Sequence, residues 1–352
     1  QDYDRERIGY GGSVQWEDPS NTALATFEFL RSEATTSWVE RASEIATDNI
    51  GDTAFFFLPG TEFGFDEDDL FSNGSISAPV GWRSDQNTPV ADGGRRTPIY
   101  GLQSNNIKRS VEQKYVTSDY SFNVKLTPTE RWAFNLDFQH VKSTVSNVDF
   151  GLWGSTFQDL SLDLRGDIPN IGYLPPNETG DGVTNLVDCS GGAGNSGSCP
   201  VYLDAPNDSF ADPFNSFWRA AMDHFEDSEG TENAFRADAE YDFDGDLGWI
   251  RSIRVGGRWA ERDQTTRFST YNWGALSEIW GNNGPVWFDE IGAPEGLLEE
   301  FAWPNFQRGQ VSTPPAFPFY AGMPAQEYGA TADFADLIVA QWLANGGVTT
   351  GP

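Results

Sequence analysis

The sequence predicts an all-β protein built from three antiparallel hairpins. Six segments alternate apolar and polar residues with a period of two, the pattern of a strand with one apolar and one polar face. These segments occur in pairs, and each pair is joined by a short run of turn-forming residues. The predicted strands lie near residues 8–17, 22–33, 115–126, 132–145, 233–243 and 250–264.

The three hairpins repeat one design. In the first, Tyr10, Val14 and Trp16 share one face of a strand, and the chain turns at Pro19 before a second alternating strand that begins near residue 22. Residues 127–130 and 244–248 supply the turns of the other two hairpins. A Trp lies beside each short turn, at positions 16, 132 and 249, where the aromatic girdle of a membrane barrel is expected.

Very long connections separate the hairpins. They span residues 34–114, 146–230 and 265–352, whereas loops longer than about 12–15 residues are uncommon in compact domains. Short turns at one end of a sheet and long loops at the other are typical of bacterial outer-membrane β-barrels. The sequence therefore predicts an antiparallel transmembrane β-barrel segment of about six strands, with extracellular long loops. The last loop also carries a short helix, over residues 330–344.

The polar face of the third hairpin carries a ladder of charges. Even-numbered residues point to the same side on both of its strands, so acidic and basic side chains are expected to meet across the hairpin. The ladder consists of Arg236, Asp238, Glu240, Arg254, Arg258 and Arg262. It suits the water-filled lumen of a barrel, although the solvated face of a soluble sheet would carry the same ladder.

The charge balance excludes one class of partner. The chain has 53 Asp and Glu residues against 22 Lys and Arg residues, a formal net charge of −31. Nucleic-acid binding depends on basic residues that neutralise phosphates, so no nucleic-acid partner is expected. The 14% aromatic content is high for a disordered acidic chain, so the rings must serve a folded structure or a ligand.

The two cysteines predict a local disulfide. Cys189 and Cys199 flank a flexible segment rich in Gly and Ser, so a bond between them is sterically easy, and it would indicate a periplasmic or extracellular setting. Two free thiols in a solvated loop are the alternative.

Catalytic and cofactor motifs are weak. The two histidines lack a neighbouring nucleophile pattern, and no zinc-protease or nucleophile-elbow motif occurs, so we predict a protein that is not an enzyme and has no cofactor. Asp66, Asp68 and Asp69 are weak candidates for a calcium site in a loop, with a charged loop tip as the alternative.

Tryptophans in the predicted loops are the best candidates for ligand contacts. Exposed rings beside polar side chains suit the stacking and hydrogen bonding of sugars. The candidates are Trp153, Trp218, Trp273, Trp280, Trp287 and Trp303. The alternative for each of them is packing of the loops against one another.

Several strand segments resemble the barrel of TonB-dependent outer-membrane receptors. The resemblance lies in diffuse strand patterns at residues 115–126, 217–225, 233–241 and 255–262. It implies residence in the outer membrane of a Gram-negative bacterium, contact with outer-membrane lipid, and energy-coupled import of a small nutrient, an oligosaccharide or a siderophore. It also implies an energy-transducing inner-membrane complex, which acts through a plug. No plug pattern or closing strand is recognisable in residues 1–352, so the chain is expected to be an interior piece of a longer receptor.

Two other classes of protein fit parts of the same pattern. A secreted carbohydrate-binding β-sandwich has similar alternation, with its apolar face packed on a second sheet. A surface adhesin or filament subunit would also suit an acidic chain that contains a disulfide.

Overall fold

The computed structural model describes residues 2–45, 56–57, 62–77, 102–175, 208–278 and 285–347. This part of the chain is mostly antiparallel β-sheet with one α-helix, as the sequence predicts. The strands are β1 (Asp2–Glu17), β2 (Ala23–Ile45), β3 (Phe56–Phe57), β4 (Gly64–Phe65), β5 (Phe71–Ser77), β6 (Leu102–Thr129), β7 (Trp132–Asp163), β8 (Asn170–Leu174), β9 (Phe217–Leu247), β10 (Ile250–Thr265), β11 (Asn272–Ala275), β12 (Val286–Trp287), β13 (Leu298–Phe301) and β14 (Phe317–Tyr320), and the helix is α1 (Tyr328–Ala344).

Six long strands form the main sheet. Their order is β1-β2-β6-β7-β9-β10, and every neighbouring pair is antiparallel. The short strands β5 and β8 pair with β7 at its C-terminal end, over residues 159–163. On the other side, β11 and β12 pair with β9 beyond the point where β10 ends. The long loops therefore contribute strands to one end of the sheet.

Local side-chain and backbone chemistry explains the short turns. In the first turn, the Asp18 carboxylate accepts hydrogen bonds from the backbone N–H groups of Ser20 and Ala23, at 3.1 and 2.6 Å. These bonds stabilise the turn that joins β1 to β2. In the third turn, Gly248 has a φ of +67°, a conformation that costs glycine little. We call this end of the sheet the turn end and the opposite end the loop end.

The two faces of the main sheet differ in chemistry. One face carries Phe27, Phe122 and Phe138, and we call it the belt face. The opposite face carries Asn123 and Asp137, and we call it the polar face. β2, β6 and β7 pair without a bulge over residues 23–45, 102–126 and 134–158. Because the register is unbroken, each strand keeps one set of alternate residues on each face along this whole length.

The strands extend further toward the loop end than the alternation predicts. β2 continues to residue 45, and β6 begins at residue 102 rather than 115. Toward the loop end the pattern weakens because polar residues occupy both faces, for example Thr35, Thr36 and Ser37 in sequence. The hydrogen-bonded pairing of the strands continues after the apolar–polar alternation has ended. Residues 34–45 and 102–114, which were predicted as loop, therefore belong to strands.

A C-terminal unit, residues 285–347, covers the belt face at the loop end. Its core packs Phe334, Ile338 and Trp342 of α1 on Leu152 of β7 and Trp218 of β9. This confirms the predicted helix, which begins two residues earlier than expected. No helix in the described part of the chain combines the length and the apolar composition needed to cross a membrane.

Candidate functional site

An apolar belt crosses all six long strands near the turn end. On the belt face, large apolar side chains are exposed rather than packed, and Val14 and Val255, at 70% and 68%, are the most exposed among them. The belt consists of Ile8, Tyr10, Val14, Trp16, Phe27, Tyr120, Phe122, Trp132, Phe138, Phe235, Ile253, Val255 and Trp259. Contiguous exposed apolar surface of this extent is unusual for a soluble monomer and marks an interaction site.

Aromatic rows border the belt at both ends. At the turn end, the Trp132 ring lies 4.8 Å from Tyr241. At the other border, Phe29, Tyr120 and His140 follow one another on neighbouring strands, with centroid separations of 5.0 and 6.2 Å. Eight residues along β7 separate Trp132 from His140, a distance of about 26 Å. Beyond this row, β2 carries the charged Arg31 and Glu33. On the edge strand β1 the apolar residues Tyr10 and Ile8, opposite them in the register, continue the belt.

The polar face opposite the belt forms a hydrogen-bonded network. The Asn123 amide donates to Asn135 and Asp137 at 2.8 and 2.6 Å. Nearby, Gln139 donates to Asp119 at 2.7 Å. Polar groups therefore satisfy one another along one side of the same strand segments whose other side is apolar.

The predicted charge ladder lies on this polar face with partly different partners. Arg254 stands opposite Glu240 in the register, but Arg258 stands opposite Arg236, which is a pair of like charges. The predicted facing of acid and base is therefore wrong at this rung. The arrangement is relieved because Arg258 and Arg262 both bind Glu232, at 3.2 and 2.7 Å, and Arg236 and Arg254 both bind Asp238, at 2.8 and 3.6 Å.

The six candidate tryptophans divide into buried and accessible groups. Trp218 and Trp287 are 1% and 3% exposed in the core, and the Trp218 indole donates to the Ile291 carbonyl at 2.7 Å. Their prediction as ligand contacts needs correction, because packing uses their rings. Trp303 is half-buried among Phe301, Phe317 and Phe319. Trp273 is 53% exposed and Trp153 is half-buried, whereas Trp280 lies outside the described residues.

An aromatic and arginine surface occupies the polar face toward the loop end. Arg109 is held by Asp149 through two N–H donors, one of them at 2.7 Å. Its guanidinium also lies 5.1 Å from the Trp38 ring centroid and 5.8 Å from that of Tyr271. Tyr271 stacks on His224 at 4.6 Å. We call this cluster, together with Trp153 and Trp273, the aryl surface.

One row of the sheet register organises the aryl surface. Glu40, Arg109, Gly151, Met222 and Trp273 pair in succession on five adjacent strands, so the row spans about 19 Å at ordinary strand spacing. A Cβ built on Gly151 would lie 2.7 Å from the six-membered ring of Trp153. The Trp153 ring therefore lies over the Gly151 backbone, between Arg109 and Met222.

Most of the aryl surface was missed by sequence reasoning. Trp153 and Trp273 were predicted as ligand contacts, but Trp38, Arg109 and Tyr271 were not. Their separation in sequence hides the cluster, because they come from strands and a loop more than 70 residues apart. Arg109 lies within a segment that the alternation leaves as a loop, and no local motif marks it.

A buried carboxyl group, that of Glu278, follows β11 in the chain. Glu278 is 4% exposed, and its nearest cation is Arg219, with Nε to Oε1 at 3.6 Å. Burial raises the pKa of Glu278 to about 7, against the opposing effect of Arg219. Arg219 also donates to Asn105 at 2.8 Å. This group is therefore poised to change charge near neutral pH.

The weak metal and disulfide candidates have different outcomes. The Asp66 carboxylate accepts the backbone N–H groups of Asp68 and Leu70, both at 2.9 Å, which is the role of a turn residue. Within the described ranges, no three His, Cys, Asp or Glu side chains come close enough together to hold a metal ion. Cys189 and Cys199 lie outside the described residues.

Comparisons with known proteins add no identification. No protein-family model matches the chain, and no curated protein has significant similarity to it.

Proposed function

We propose that the chain is a segment of a bacterial outer-membrane β-barrel that imports a nutrient ligand, of the class of TonB-dependent receptors. The apolar belt carries this proposal. It faces outward on every long strand, spans about 26 Å along β7, and has aromatic borders, as expected of a strand region embedded in lipid. In this account the polar face lines a watery lumen.

The free edges of the main sheet also support a barrel. In the described part of the chain, β1 and β10 each pair along one side only, which leaves two edges of 16 residues each with unpaired backbone groups. Lipid supplies no partners for such groups. Bacterial barrels contain at least about eight strands, so we propose that further strands of the receptor pair with both edges.

The proposed activity is capture and transport rather than chemistry. The aryl surface lies on the polar face, nearer the loop end than the polar network of Asn123 and Asp137. A ligand that enters from the loop end would therefore meet the aryl surface first. Energy for passage would come from an inner-membrane complex that acts through a plug. A β-sandwich is less well supported, because the belt lies exposed where such a protein packs a second sheet.

A pair of adjacent substitutions tests the membrane assignment. Phe138→Lys places a charge in the belt, and we expect it to lower the free energy of unfolding in lipid vesicles by about 2–4 kcal/mol. Gln139→Lys, its neighbour on the polar face, sits beside Asp119 and should change it by less than about 0.5 kcal/mol. The measurement is urea unfolding, after vesicle insertion, of the complete receptor that contains this chain. A chain that stays monomeric without detergent and tolerates both substitutions equally would refute the proposal.

A further inference from the structure

We infer that the aryl surface binds an uncharged oligosaccharide, with the sugar rings stacked on Tyr271 and Trp273. This inference rests on the proposed uptake function and names its substrate class. Tyr271 and Trp273 are 57% and 53% exposed, and both lie over the polar face, where the proposed lumen admits a ligand from water. They are two residues apart on the chain segment that borders β9.

The Tyr271 ring and the backbone of Trp273 are held in place before any ligand arrives. Tyr271 rests on His224, whose ring nitrogen Nδ1 lies 2.7 Å from the Ser269 carbonyl. Trp273 extends from β11, which is hydrogen-bonded to β9. Binding therefore costs little ordering of the Tyr271 ring and of the Trp273 backbone, which favours affinity from stacking.

Arg109 supplies directional donors beside the rings. Its pair with Asp149 uses two of the five guanidinium N–H groups. Trp38 and Tyr271 flank the guanidinium, so the remaining donors are fixed in direction within an aromatic setting. Sugar hydroxyls accept such hydrogen bonds, while the C–H faces of a sugar ring suit the aromatic planes.

The charges around Arg109 select against anionic ligands. Asp149 is 2% exposed and neutralises the guanidinium directly. Glu40 and Glu226 lie on the same face of the sheet. An anion would have to compete with Asp149 and approach these carboxylates, whereas a neutral ligand meets no such penalty.

The dimensions indicate a chain of several sugars. The row from Glu40 to Trp273 spans about 19 Å across five strands, and the Trp153 ring provides a further aromatic plane over Gly151. A single sugar ring would cover only part of this surface. A linear oligosaccharide laid across the strands would reach both Arg109 and Trp273.

Binding of defined glycans, in detergent, to the complete receptor that contains this chain tests the inference. The probes are neutral hexasaccharides of glucose, xylose, mannose and galactose, with a hexagalacturonate as the acidic probe and a glucosamine hexamer as the basic one. We expect a neutral hexasaccharide to bind, and Trp273→Ala to weaken binding about tenfold. Trp273→Phe should restore most of the affinity. Trp249→Ala, which alters a 91% exposed ring at the turn end, is the matched control and should bind like the unaltered chain.

Three results would overturn the inference. They are binding of none of the neutral probes, binding of a charged probe alone, and unaltered binding in a Tyr271→Ala, Trp273→Ala double variant. The same preparations are tested for insertion into vesicles. Insertion without glycan binding would leave the membrane assignment intact and refute the sugar site, whereas glycan binding by a complete protein that does not insert would refute the receptor.

Discussion

At the scale of single residues, the burial of Glu278 makes the stability of the fold depend on pH. A carboxyl group loses more hydration free energy as an anion than as a neutral acid, so burial favours the protonated form. The pKa of Glu278, about 7, exceeds the ordinary value of 4.5 for the unfolded chain. The free energy of unfolding therefore has its full value below about pH 4.5, where Glu278 is protonated in both states. It falls as the pH rises through 7, because the folded chain must then hold a buried anion.

Substitution of Glu278 by Gln should reveal this dependence. Glutamine keeps the shape of the protonated side chain without the charge. We expect Glu278→Gln to stabilise the fold by about 2–3 kcal/mol at pH 8 and to change it little at pH 4. Unfolding measured at both pH values checks this, with Glu300→Gln, at an exposed position of β13, as the control. An equal effect at the two pH values would contradict the account of Glu278.

Residues with a local signature could be predicted from the sequence, and those defined by tertiary neighbours could not. Trp16, Trp132 and Trp249 beside the turns follow from turn chemistry and alternation. Trp218 and Trp273 are both aromatic residues in predicted loops, yet one is buried under α1 and the other is exposed. Only the packing of the C-terminal unit distinguishes them, and no period in the sequence encodes it.

At the scale of elements, an ion cluster fastens the β13–β14 hairpin to the main sheet. Lys108 of β6 is 1% exposed and contacts Glu299 at 2.9 Å and the Ala321 carbonyl at 3.0 Å. Arg41 of β2 also binds Glu299, at 2.6 Å. Burial acts to raise the pKa of Glu299, but the hydrogen bonds from Arg41 and Lys108 outweigh it and lower that pKa.

Removal of the shared carboxylate should release this hairpin. Glu299→Ala leaves the buried Lys108 ammonium without its anion, which typically costs about 3–5 kcal/mol. Glu300→Ala, one residue along on the exposed side of β13, should cost less than about 0.5 kcal/mol. Amide hydrogen exchange of β13 and β14 measures the difference. Equal protection in the two variants would show that packing alone fixes the hairpin.

The long secondary-structure elements could be predicted from the sequence, and the short ones could not. The six long strands and α1 were predicted because each has one apolar face over many residues. β11 to β14 have two to four residues each, too few for a period to emerge. The loop-end halves of β2 and β6 carry polar residues on both faces, so their alternation is weak even though the ladder is continuous.

At the scale of the whole molecule, one sheet separates two environments. The same strand segments place aromatic and branched apolar side chains on the belt face and a hydrogen-bonded polar network on the other. Phe138 is 46% exposed on the belt face, while its neighbours Asp137 and Gln139 bond to Asn123 and Asp119 on the polar face. A soluble fold would bury the apolar side, and a barrel in lipid would leave it as it is.

The most direct test of the membrane account is residue-by-residue accessibility along β7. Each of residues 134 to 139 is changed to cysteine in a background with Cys189 and Cys199 replaced by serine, spin-labelled, and measured in vesicles. We expect high oxygen accessibility at Phe134, Leu136 and Phe138. High accessibility to an aqueous nickel reagent is expected at the three odd positions, which are Asn135, Asp137 and Gln139. Aqueous accessibility at all six positions, or an absence of alternation, would contradict it.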